Sequence, residues 1–122
     1  MRIPIKTDMK YFYKVLLSMM GKFPPIKGLA EKEINVLAEI LLQNYKYRDL
    51  EFNKRQLLIF STEIRKEMWT NLGMNRGTLY NYLCKLRKKG VLTEYNQILP
   101  FLNIIPEDKY EFTILFELDN NE

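Results

Sequence analysis

The chain has 122 residues, 47% of them hydrophobic, and a formal net charge of +4. That is enough for one domain whose core needs no metal or disulfide. No histidine and a single cysteine, Cys84, exclude an intrachain disulfide, the usual Ser–His and Cys–His nucleophile pairs and an ordinary zinc site.

In chain order, residues 1–7 read as an extended arm, because Pro4 blocks a helix. Asp8 caps a helix running to about Lys22, with Tyr11, Phe12, Val15, Leu16 and Met19 as its apolar stripe; Gly21 and Pro24-Pro25 end it. This helix has more apolar surface than a lone leading helix needs, so it either packs on the domain or pairs with a second copy. The next helix starts near Glu31 and runs to about Tyr45, with Ile34, Leu37, Ala38, Leu41 and Tyr45 on one face. Residues 46–52 are a polar connection, and Asn53 caps a short helical piece through Ile59.

Ser61 or Thr62 caps a further helix, with Glu63 in its first turn and Ile64, Met68 and Trp69 facing inward. Leu72-Gly73-Met74 is a tight turn in which Gly73 takes the left-handed conformation, and Asn75 caps a helix that runs to Lys89 and stops at Gly90. Val91 to Glu94 is a short strand. Tyr110 to Leu118 alternates apolar and polar residues and is expected to pair antiparallel with residues 91–95. The boundaries expected are an N-terminal arm and helix over 1–25 and a domain over 28–122, forming one unit.

Charge is unevenly spread. Residues 68–93 hold five basic side chains and no acid, whereas residues 94–122 hold seven acids against Lys109. An acid-free basic segment suits a polyanion, because each neutralised phosphate releases counterions. Cations in a helix's last turn also complement its dipole in any protein.

Residues Leu72 to Tyr80 and Leu83 to Leu92, with a helix before and a strand after, resemble the winged helix-turn-helix family of small bacterial and phage regulators. The resemblance spans roughly residues 29–118. It implies an α+β fold, mainly α: a winged helix-turn-helix with an extra N-terminal helix and a C-terminal β-hairpin wing. It also implies that helix 75–89 enters the major groove of double-stranded DNA. On that helix Leu79, Leu83 and Leu86 share one face, and Gly77, Asn81, Cys84 and Lys88 the other. Arg76 would pair with guanine and Asn81 with adenine, and Gly77 would allow close backbone approach. Thr78, Lys85, Lys88 and Lys89 would meet phosphate, with Tyr80 on the same side. The bland readings are that Asn81 is a solvated residue, that Tyr80 covers core surface and that Arg76 pairs with Glu67 or another acid.

The wing departs from the family. Residues 95–108 are long and apolar and end in Glu107-Asp108, a tip that DNA repels. Phe101, Leu102 and Ile104 therefore either fold back beside the first helix or form a partner surface.

The leading expectation is a sequence-specific regulator of transcription or replication, a homodimer through the N-terminal helix, the wing or both. The alternative is a protein-interaction or structural subunit on the same scaffold, for instance in a phage virion. No enzyme activity, cofactor or metal is expected. The longest strongly apolar run, Val15 to Met20, is too short for a bilayer or a signal segment. A cytoplasmic location follows, or the host cytoplasm for a phage product.

Overall fold

The computed structural model describes residues 1–119; the last three residues of the expected domain 28–122 lie outside them. The described residues form five α-helices: α1 (Met9–Met20), α2 (Glu31–Lys46), α3 (Phe52–Ile59), α4 (Thr62–Asn71) and α5 (Arg76–Lys88). A 3-10 turn, Pro100–Leu102, follows.

Local sequence explains where most helices start and stop. Asp8 accepts from the Tyr11 amide at the head of α1, and Ser61 accepts from the Ile64 amide at the head of α4. At α2 no cap side chain is available on Ala30; Glu33 instead turns back to accept from the Ala30 amide at 2.7 Å. Gly73 (φ +66°) and Gly90 (φ +77°) occupy left-handed positions after α4 and α5, where a side chain would be strained.

Helix α2 is the hub. It packs against α1, α3 and α5, while α4 packs on α3 and α5. Its Val36, Leu37, Ile40 and Leu41 are inaccessible to solvent and meet Leu16 and Leu17 of α1, Ile59 of α3, Met68 of α4 and Leu79, Leu83 and Leu86 of α5 in one core. Helix α1 thus packs on the body, through Tyr13, Leu16 and Leu17. Its buried face is turned about one residue from the expected stripe, so Tyr11 and Met19 stay exposed.

The expected wing is absent. Among the described residues there is no strand or sheet, and one isolated antiparallel bridge, Leu92 to Ile98, is all that remains of it. The fold is all-helical, which overturns the expected α+β winged helix. The cause is local closure. The Thr93 amide bonds the Gln97 carbonyl and the Asn96 amide bonds the Thr93 carbonyl, each at 3.0 Å, with Asn96 at φ 59°. Residues 92–98 therefore turn back on themselves and take up the edge that Tyr110 to Leu118 was expected to pair with. That later segment makes no backbone hydrogen bond to any described residue, and its side chains are exposed.

Candidate nucleic-acid interface

Helices α4 and α5 pack against each other across the turn at residues 72–75. The Leu72 amide closes α4 on Met68, the Met74 amide returns to Trp69 at 2.9 Å, and the Asn75 side chain accepts from the Thr78 amide at 2.8 Å. Leu79, Leu83 and Leu86 anchor α5 in the core, so the remaining faces of the helix are fixed by default.

On the outer side, Arg76, Gly77, Tyr80, Asn81, Lys85 and Lys88 are all exposed and Thr78 is half-buried. Tyr80 is 57% exposed, so its ring is not mainly core cover. Glu67 is not the partner of Arg76. It is bound at 2.8 Å by Lys46, whose hydrogen bond holds the Glu67 carboxyl below the usual carboxylate range. Among the described residues neither Arg76 nor Lys88 has an acidic partner. The Thr78 amide is used by the Asn75 cap, while those of Arg76 and Gly77 have no partner among the described residues.

The five cations of residues 68–93 do not act together. Lys89 is tied to Glu33 at 2.6 Å and to the Gly28 carbonyl at 3.0 Å. Burial pushes the Glu33 carboxyl up, but the Lys89 hydrogen bond and the Ala30 amide pull it further down, leaving it net below its ordinary value. Lys89 is therefore a clamp between the end of α5 and the start of α2. Arg87 binds the Asn96 side chain and the Cys84 thiol, fastening α5 to the turn at 93–97. Lys85 stands 5.1 Å from the centre of the Tyr82 ring. Arg76, Lys85 and Lys88 remain on the surface.

An open groove of about 350 Å³ separates α4 from α5. Thr62, Arg65 and Trp69 line one wall, and Arg76, Gly77 and Tyr80 the other. Arg65 was missed from sequence. Its signal was the spacing Thr62–Arg65–Trp69, which puts the three on one face of a helix.

The expected partner surface in the wing is not assembled. Leu102 and Ile104 are core residues; Phe101 alone is exposed. The segment is held by the Ile98 amide on Gln56 Oε1 at 3.0 Å and by the Tyr13 hydroxyl, which donates to the Ile104 carbonyl at 2.5 Å. It folds back beside α1, the other of the two readings.

Sequence reasoning also missed a buried polar network. Arg55, 4% exposed, donates through Nε to Asn44 Oδ1 at 2.7 Å, through one terminal nitrogen to the Leu50 and Arg48 carbonyls, and through the other to Asn103 Oδ1 at 3.2 Å. It has no carboxylate partner among the described residues; neutral oxygens satisfy its donors. The available signal was Asn44, an amide three residues after Leu41 on an otherwise apolar stripe.

Among the described residues no three acids or thiols converge as metal ligands, and no helix is long and apolar enough to cross a membrane. None of the family models, curated proteins or solved structures compared with the chain matches it.

Proposed function

We propose that the chain binds double-stranded DNA by placing α5 in the major groove, without doing chemistry on it, as a regulator of transcription or replication. The observation that carries this reading is the outer face of α5. It presents Arg76, Gly77, Tyr80, Asn81, Lys85 and Lys88 to solvent while three leucines lock its other face into the core. Arg76 and Asn81 are the candidates for base edges, as bidentate partners of guanine and adenine. Lys85 and Lys88 are the candidates for phosphate, joined by Arg65 and Thr62 from α4 across the groove. Lys89 is withdrawn from the phosphate set, because Glu33 neutralises it.

The test is fluorescence anisotropy with random duplex DNA titrated across salt. Micromolar binding that weakens steeply with salt is the expected result. Lys88→Ala lowers affinity for every duplex and reduces the salt slope by about one unit. Lys89→Ala leaves that slope unchanged, and Asn81→Ala costs roughly 1–3 kcal/mol on a selected site but little on random DNA. Absence of binding at low salt defeats the reading. The alternative, a protein-interaction subunit, now draws its support from the exposed C-terminal segment instead of the buried Leu102 and Ile104.

A further inference from the structure

Two parts of the surface are left unfinished by the fold, and they are opposite in charge. The first is the outer face of α1 with the arm before it. Residues 1–20 carry four basic side chains against Asp8 alone. Lys10, Tyr11, Lys14, Ser18 and Met19 are exposed on α1, so this face is cationic and apolar together. The second is the tail from residue 107, where six acids stand against Lys109. The tail leaves the body by degrees. Its start is held by the Arg2–Glu111 ion pair at 3.3 Å and by Tyr110, whose ring meets Phe12 edge-on at 5.7 Å. Farther along, Phe116 and Leu118 are each 82% exposed.

An acidic, aromatic tail and a basic, apolar helix face are complementary, and large exposed apolar side chains in series are uncommon on a free monomer. Within one chain they meet at the start of the tail, at Arg2 and Phe12; beyond that Phe116 and Leu118 stay exposed and leave Tyr11 and Met19 uncovered. Tail against tail is disfavoured, since antiparallel pairing centred on Ile114 sets Glu111 directly opposite Glu117. We infer that the occupant is a second copy. The tail of each protomer lies along the outer face of α1 in the other, Phe116 and Leu118 covering Tyr11 and Met19, and Glu117 facing the Lys10–Lys14 stripe. The exchange is reciprocal, as a two-fold dimer requires.

The experiment is sedimentation equilibrium of the full chain from low to high micromolar concentration, at low and high salt. A monomer–dimer equilibrium that weakens with salt is expected. Phe116→Ser with Leu118→Ser raises the dimer Kd by about tenfold or more, as loss of buried anchors does. Lys14→Glu with Met19→Ser does the same, with Lys10→Glu/Lys14→Glu as a second face variant should that protein fold poorly by circular dichroism. Mixing the tail variant with a face variant restores dimers, because the intact α1 of one accepts the intact tail of the other. A wild-type monomer at every concentration overturns the inference. So does a dimer indifferent to the tail variant, or a mixture of two folded variants that stays monomeric.

Discussion

Residues 98–106 and residues 107–119 are both rich in large apolar side chains, yet the fold treats them oppositely. Ile98, Leu102 and Ile104 are core residues, whereas Phe116 and Leu118 stand in water. Hydrophobicity does not separate the two stretches; polar anchoring does. A coil segment buries its side chains only if its own amides and carbonyls find partners there. The first stretch finds them in Gln56 for the Ile98 amide, Tyr13 for the Ile104 carbonyl, and Asn44 and Arg55 for the Asn103 side chain. The second has the exposed Arg2–Glu111 pair and a ring contact at its start.

Breaking the anchors is the strongest test of that account. Arg55→Met leaves Asn44 Oδ1 with Gln56 as its donor and Asn103 Oδ1 with Asn44, and removes the guanidinium donor from the Leu50 and Arg48 carbonyls. A hydrogen bond from a charged donor is worth roughly 1.5–3 kcal/mol, and the donors that remain offset part of the loss, so ~2–4 kcal/mol of unfolding free energy is expected to be lost in a urea titration. A loss under ~1 kcal/mol means that water reaches these groups, and polar anchoring then does not explain the burial of residues 98–106.

Tyr13→Phe removes one anchor and is the next largest effect, about 1–2 kcal/mol at neutral pH. It also has a pH signature. Burial, reinforced by repulsion from the neighbouring Tyr45, pushes the Tyr13 hydroxyl well above the ordinary phenol value. Unfolded, it ionises near pH 10; folded, it keeps its proton. Its contribution is therefore fully present below about pH 10, and above that it falls by up to about 1.4 kcal/mol per pH unit. Wild type and Tyr13→Phe should converge in stability as pH rises from 10 to 11. Parallel curves there mean that Tyr13 ionises in the folded protein as readily as in the unfolded one.

The same contrast explains what could be read from sequence. Helices α4 and α5 and their turn were legible because Ser61, Gly73, Asn75 and Gly90 act within a few residues of themselves. The outer face of α5 followed from its three leucines. Beyond Gly90 the decisive partners are remote: Asn103 depends on residues 44 and 55, and Ile104 on residue 13. In sequence, Arg55 looks like a solvated cation on a short helix and Lys89 like one more phosphate ligand, until Asn44 and Glu33 are brought beside them. The alternation from Tyr110 to Leu118 is a true period of two. A strand, however, needs an edge to pair with, and residues 92–98 close on themselves.

The smallest expected effect is the sharpest. If residues 107–119 contribute nothing to the body of a single protomer, Phe116→Ser with Leu118→Ser changes its stability by less than about 0.5 kcal/mol, the range of surface substitutions. Leu102→Ala, a comparable apolar loss only fourteen residues earlier in the chain, costs about 2–5 kcal/mol. The comparison belongs at sub-micromolar protein, because self-association adds stability by mass action at higher concentration. A stability difference between wild type and the tail variant that grows with protein concentration is the signature of a tail working between copies. A difference of 1 kcal/mol or more that is independent of concentration places the tail on its own protomer instead.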